Sequence, residues 1–239
     1  ARPADPPGFV ETPTARDVLA SVRLAYAAPG GDMTMIAGAP GVGKTAALRQ
    51  FADAEETAAY LTVAPGEDAP FHLAERLWTL YPGECPKHVS NAWRKAQLVE
   101  FLSFNSMFLI FDEAQNAGRA GLDWLRMVGE EAGIGMVFAG SRDLAQLAGE
   151  MPQFSSRLSR PCLIRRGQPG DVAAIARAHG FADAESIRLL TDVSMLSGGL
   201  RNVVKVMALA RLYRRNAPAA AEHLASAIVE MNLKPRRKK

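Results

Sequence analysis

Residues Gly38-Ala39-Pro40-Gly41-Val42-Gly43-Lys44-Thr45 set two framing glycines, a lysine and a threonine at the spacing G-x-x-x-x-G-K-[ST] of a phosphate-binding loop. Glycines let successive backbone N–H groups turn inward on phosphate oxygens, and a helix that starts at the lysine adds positive potential there. Lys44 would reach the β and γ oxygens of a nucleoside triphosphate, and Thr45 would ligate Mg²⁺. Further along, Phe108-Leu109-Ile110-Phe111-Asp112-Glu113 is an apolar run that ends on two adjacent carboxylates. Asp112 would hold the water shell of Mg²⁺, and Glu113 would polarise an attacking water. That second acid points to hydrolysis, because an enzyme that passes phosphoryl groups to small molecules has to exclude water rather than activate it. Taken singly, the two stretches are also a Gly-rich turn and a strand capped by solvated acids. Their order along the chain is what makes them one site.

Such a loop works between a strand and a helix, and the flanking sequence predicts both. MTMIAG (33 to 38) reads as a short apolar strand, and a helix is predicted from Lys44. YLTV (60 to 63), MFLIF (107 to 111), GMVFA (135 to 139) and PCLI (161 to 164) are further strand-like runs. Helical stretches separate them, among them Phe71 to Tyr81, Ser90 to Phe104 and Gly121 to Glu131. Strands buried on both faces and alternating with helices imply a largely parallel α/β sheet. Ahead of it, Thr12-Pro13 reads as an N-cap with Pro at the first helical position, and the helix runs to the Pro29-Gly30-Gly31 stop. After Arg166-Gly167-Gln168-Pro169-Gly170 no strand-like run remains. Val172 to His179, Glu185 to Leu196, Leu200 to Arg215 and Ala219 to Met231 read as helices, broken at Gly180, Ser197-Gly198-Gly199 and Asn216-Ala217-Pro218. The expected division is an amino-terminal linker and first helix (1–30), a phosphate-loop core (31–166), a helical lid (167–232) and a basic tail (233–239).

Composition sets the outer bounds. With 239 residues, 48% hydrophobic and 22% charged, and a mean hydropathy of −0.04, the chain is not disordered, collagenous or a coiled coil. Its longest uncharged runs, Met33 to Gly43 and Phe101 to Phe111, fall well short of the roughly 20 residues that span a bilayer. No membrane role is expected. The start, ARPADPPGFV, lacks the apolar stretch of a secretion signal and also lacks a Met, so a trimmed or excised chain in the cytoplasm is expected. Cys85 and Cys162 fit two ordinary thiols in a reducing compartment. The net charge of +3 divides unevenly: residues 1–161 carry −5, whereas residues 162–239 carry 14 basic and 6 acidic side chains, net +8. Five of those positive charges lie in the last six residues, KPRRKK, a stretch that is either solvated or in contact with a polyanion.

Together, the phosphate loop, the Asp112-Glu113-Ala114-Gln115 box, the run ending Ala139-Gly140-Ser141, the Ser156-Arg157-Leu158 segment and the Gly198-Gly199-Leu200-Arg201 turn resemble an AAA+ ATPase. Within that superfamily the chain most resembles the DNA transposition proteins of the phage Mu B type, with their TniB and TnsC relatives, from Phe9 to about Leu212. The resemblance implies a P-loop ATPase core with a parallel sheet and a helical lid, acting on ATP with Mg²⁺. It implies Ser141 as the sensor of the γ-phosphate, although many relatives have Asn or Thr there. Arg157, with Arg160 as its rival, would be the finger that reaches a neighbouring subunit's nucleotide; either is also an ordinary surface arginine. Arg201 would be the lid's sensor for the same subunit's phosphates, or else part of a basic helix face with Lys205 and Arg211. Phe9-Val10 would be the strand beside the adenine, or an apolar anchor for the first helix.

The family further implies a homo-oligomer, filament or ring, that binds double-stranded DNA and activates a transposase, encoded by a phage or transposon in a bacterial host. The Mu B protein has an amino-terminal helix-turn-helix domain for which this chain has no room before the core: either the chain is a fragment or this relative lacks that domain, and DNA contacts are expected from the core and the basic tail. Lys87, Arg94, Lys95 and Arg119 are the core candidates. A rival reading is a regulatory AAA+ ATPase acting on a protein partner, of the secretion-associated type. Trp78, Trp93 and Trp124 fall on apolar helical faces and read as core or interface residues.

Overall fold

A computed structural model describes residues 8–214 and 220–233. The KPRRKK tail and the expected break at 216–218 lie outside the described residues. Two compact units emerge: a sheet unit of residues 17–38 and 44–164, and a helical unit that gathers residues 8–16, the loop tip 39–43, 165–214 and 220–233.

The sheet unit has five parallel strands, β1 (Met33–Gly38), β2 (Ala58–Thr62), β3 (Phe108–Asp112), β4 (Met136–Gly140) and β5 (Cys162–Ile164). They lie in the order β2-β3-β4-β1-β5. Every residue of β1, β3 and β4 is buried. The two edge strands are not: β2 has a single buried residue, Leu61, and β5 only Ile164. Burial on both faces was expected of all the runs; it fails at the edges because an edge strand has one neighbour and is covered less. The phenylalanine rings stitch the centre: Phe138 on β4 lies 5.8 Å from Phe111 on β3 and 4.9 Å from Phe154.

Helices return the chain between the strands: α1 (Pro13–Ala27) precedes β1, and α2 (Lys44–Ala54), α3 (Pro70–Trp78), α4 (Asn91–Phe104) and α5 (Gly118–Ala132) follow. Thr12 caps α1 as its sequence predicts, its hydroxyl accepting from Ala15 N at 3.1 Å. Three short helical pieces were not anticipated: a 3₁₀ turn at Ala114–Ala117, α6 (Arg142–Gly149) and α7 (Pro152–Ser155). The last two carry readable starts, Ser141 as N-cap and Pro152 in the first turn.

The helical unit holds α8 (Pro169–Ala178), α9 (Ala184–Ser194), α10 (Leu200–Arg214) and α11 (Ala221–Glu230). Their apolar faces meet in a core that includes Phe181, Leu190, Val203, Met207 and Leu224, and Val10 packs against it. Residues 9–12 form no strand. The Val10 side chain lies on the helical core, as an apolar anchor would. Within the same unit Asp171, fully buried, accepts from Thr14 N at 2.8 Å and from the Thr14 hydroxyl at 2.5 Å. Those bonds fasten the first turn of α1.

Because Phe138 is fully buried between two other rings, Phe138→Ala should cost about 3–5 kcal/mol by loss of transfer energy and creation of a cavity. Denaturant unfolding followed by circular dichroism measures it. A loss below about 1 kcal/mol would show that the strand carrying the site junction is not held by this ring stack.

Candidate functional site

The carboxyl ends of β1, β3 and β4 come level. Ala37 pairs with Gly140, and Phe111 with Phe138, so Gly38, Asp112 and Gly140 lie along one edge of the sheet. Open α/β sheets bind ligands at this edge.

Asp112 is the centre of the bonding there. It is 3% exposed, and each of its oxygens is bonded. Oδ1 accepts from Glu113 N at 2.9 Å. Oδ2 accepts from the Thr45 hydroxyl at 2.7 Å and from the Tyr60 hydroxyl at 2.5 Å. Tyr60 comes from β2, two residues before the partner of Asp112 in the register and so on the same face. Burial, followed by the bond to Asp112 and its charge, raises the Tyr60 pKa. The Arg49 guanidinium covers the ring at 4.8 Å.

Lys44, 9% exposed, donates to Gly38 O at 2.8 Å. Burial pushes its pKa below the ordinary lysine value, against the opposing pull of Asp112 and then Glu113. A buried ammonium beside two carboxylates, with a hydroxyl and a carboxylate oxygen within 2.7 Å of each other, is a donor set that fits a magnesium-bound polyphosphate. The glycines agree: Gly41 and Gly43 have φ of 74° and 96°, a region L side chains rarely adopt.

Glu113 takes a left-handed backbone conformation, φ 54° and ψ 34°. Its side chain accepts from Gln115 Nε2 at 2.6 Å, while Gln115 Oε1 accepts from Ser141 N at 3.1 Å. The Ser141 hydroxyl is engaged as the cap of α6: it accepts from Asp143 N at 3.1 Å and lies 3.0 Å from the Asp143 carboxylate. Two of these residues escaped the sequence reading. Gln115 stood only as the last letter of a motif, and Tyr60 joins Asp112 through strand pairing that no local pattern reveals.

The remaining site residues divide by place. In the helical unit the loop tip meets the turn that precedes α10: Leu200 N donates to Gly41 O at 2.8 Å, and a Cβ on Gly41 would overlap the Gly198 carbonyl. Arg201 is the next residue and is exposed. In the sheet unit Arg157 is 60% exposed and pairs with Glu130 at 2.8 Å. Arg160 donates to the Ser21 hydroxyl at 2.9 Å.

Of the expected DNA-contact residues, Lys87 is exposed, Arg119 is exposed and paired with Glu150, and Lys95 pairs with Glu131 at 2.5 Å. Arg94 is different. It is 4% exposed, its guanidinium lies 4.9 Å from the Phe71 ring centre, and it donates to Pro86 O at 2.8 Å and to Asn91 at 3.2 Å. Its guanidinium is buried against neutral partners inside the fold, so Arg94 is not placed to contact DNA. Among the described residues no helix is long and apolar enough to cross a membrane, and no cluster of three or more His, Cys, Asp or Glu could hold a metal.

Comparison with known proteins gives the same picture. Residues 29–148 match the family of AAA domains, and residues 156–231 match the carboxyl-terminal domain of the Mu B transposition protein. The chain is 28% identical over 215 residues to the Mu-like prophage FluMu DNA transposition protein B of Haemophilus influenzae, covering 84% of this chain and 72% of that one. It is 28% identical over 207 residues to the ATP-dependent target DNA activator B of Escherichia phage Mu, covering 82% of this chain and 64% of that one. The Aeropyrum pernix Orc1 protein, solved in complex with DNA, superposes with a TM-score of 0.69 at 17% identity over 96% of this chain and 68% of its own. At that identity the likeness is one of fold.

Because burial lowers the Lys44 pKa, the unfolded chain binds a proton there that the folded chain holds less tightly, and stability rises as pH climbs through that window. Lys44→Met should therefore leave the nucleotide-free protein as stable as the parent, or more stable, at neutral pH. The gain should shrink as pH approaches the ordinary lysine range. Thermal unfolding between pH 7 and pH 10 measures this, and a variant that is less stable throughout would mean that the bond to Gly38 outweighs the cost of burial.

Proposed function

The chain belongs to the AAA domain family, with a Mu B-type carboxyl-terminal domain, and from that premise we propose that it is a Mg²⁺-dependent ATPase whose ATP-bound oligomer holds double-stranded DNA as the target of a transposase. The observation that carries the enzymatic part is the single cluster of Lys44, Thr45, Asp112 and Glu113 at one sheet edge. Gly38 to Thr45 would cradle the phosphates, with Lys44 on the β and γ oxygens. Thr45 and Asp112 would hold Mg²⁺, directly or through its water, and the ion when bound would neutralise phosphate charge. Glu113, exposed at the edge, would orient and polarise the attacking water.

The roles of Ser141, Arg157 and Arg201 rest on the resemblance together with their placement. Ser141 follows the last residue of β4, the strand beside β1, and would sense the γ-phosphate. Arg201 begins the helix whose preceding turn touches the loop tip, which suits a contact to the same subunit's phosphates. Arg157 would reach the neighbouring subunit, which makes hydrolysis depend on assembly. The name of the phage Mu relative, a target DNA activator, supports DNA as partner and a transposase as its recipient. So does the +8 charge of residues 162–239. ATP favours the assembled, DNA-bound state and hydrolysis loosens it, so ATP acts through its differential affinity for the two states.

Three experiments test this. Glu113→Gln should bind ATP with the parent's affinity and turn over at least about a hundredfold more slowly, whereas Lys44→Ala should lose the affinity itself. Mixing Arg157→Ala with Glu113→Gln should restore activity that neither has alone, since one mixed interface joins the intact Glu to the intact Arg. Failure to recover any in well-mixed oligomers ends the case for Arg157 as a finger in trans. For DNA, duplex binding in the presence of ATP should be tolerant of sequence, with log K falling by about 0.9 per phosphate contact for each unit of log salt. Removing residues 234 to 239 should flatten that slope by roughly two to four. Affinity indifferent to ATP would favour a protein partner instead.

A further inference from the structure

We propose that Gln115 is a positioning residue that fixes the Glu113 carboxylate by tying it to the end of β4. The inference deepens the reading in which Glu113 polarises water, and rests on it. The side-chain amide lies between Glu113 Oε2, at 2.6 Å from Nε2, and Ser141 N, at 3.1 Å from Oε1. Those two partners dictate its chemistry. A backbone N–H can only donate and an ionised carboxylate can only accept, so the bridge needs an acceptor at one end and a donor at the other. A glutamine amide has both. A glutamate in its place would offer only acceptors and a lysine only donors.

The surroundings are shaped for this bridge. Gly140 is the last residue of β4, and a Cβ there would overlap Gln115 Oε1. Without a side chain the strand end admits the amide. The Ser141 hydroxyl is occupied in capping α6, so it is the Ser141 backbone that Gln115 reads. Glu113 itself is exposed and would otherwise sample several rotamers. Holding a reacting group in place is worth far more than its hydrogen bond alone, because a misplacement of about 1 Å can cost a hundredfold in rate. The strand that carries the candidate phosphate sensor is thereby coupled to the base through one side chain. A shift of the β4–α6 junction would move Glu113 with it.

Steady-state ATPase kinetics and nucleotide binding of the full chain, with DNA present, test the proposal. Gln115→Met keeps the length of the side chain but removes both bonds, and should lower kcat by about tenfold or more while KM and the Kd for ATP stay within about twofold of the parent's. Gly140→Ala approaches the same bridge from the other side and should give the same split. The double variant should be no slower than either alone, and in a Glu113→Gln background Gln115→Met should add no further loss, because both changes act on one group. A Gln115→Met protein with kcat within twofold of the parent, while Glu113→Gln abolishes turnover, would overturn the positioning role and leave the base assignment standing. Full turnover by Glu113→Gln would overturn both.

Discussion

A carboxylate taken out of water must have its oxygens bonded or it destabilises the fold by several kcal/mol, and Asp112 meets that demand with one bond from each of three places. Its own successor supplies a backbone N–H, the start of α2 supplies the Thr45 hydroxyl, and β2 supplies the Tyr60 hydroxyl. The requirement fixes more than a side chain. For Thr45 to reach Asp112 the loop must close after Gly38 and turn into α2 at once, which is why left-handed glycines sit at 41 and 43. For Tyr60 to reach it, β2 must pair with β3 in the observed register. The same buried charge helps offset the cost of burying Lys44.

Strand order then separates the parts. β4 lies between β3 and β1, and with strands about 4.8 Å apart the loop-bearing strand and the carboxylate-bearing strand stand roughly 9.6 Å from one another. Thr45 spans the gap from the loop side. The floor between them is the end of β4, where Gly140 carries no side chain and Ser141 turns away to cap α6. An intervening strand that stopped short would leave Gln115 without an anchor, and one that ended in a larger residue would push it out. The third strand is therefore part of the site even though none of its side chains faces Asp112 through a hydrogen bond.

The sequence made the covalent logic of this arrangement legible and hid its lateral logic. The loop at 38–45, the acidic pair at 112–113 and the helical character of the chain after 165 were all readable, because glycine spacing, apolar runs and cap residues are local signals. The apolar run 33–38 is β1 from end to end, and Thr12-Pro13 marks the start of α1. What depends on strand pairing was not readable. In the sequence Tyr60 is one aromatic in a short apolar run, and Arg94 is one charge among basic neighbours until packing sets it against Phe71. Phe9 and Val10 resemble a family strand by sequence; residues 9–12 form no strand, and Val10 packs against the helical core. Local chemistry announces what a residue can do; only the sheet decides what it is next to.

The same distinction bears on Arg157. Its pair with Glu130 at 2.8 Å gives it a place in the isolated chain, and a surface pair of this kind contributes about 0–1 kcal/mol. Glu130 loses little if Arg157 leaves, because it also accepts from Arg126 at 2.7 Å, a guanidinium that Asp123 holds from the other side. The carboxylate keeps a partner either way. A polyphosphate presented by a neighbouring subunit would offer Arg157 several charged oxygens in a bidentate geometry, which is the arrangement guanidinium groups bind most strongly. The ion pair with Glu130 would therefore compete only weakly with the proposed contact.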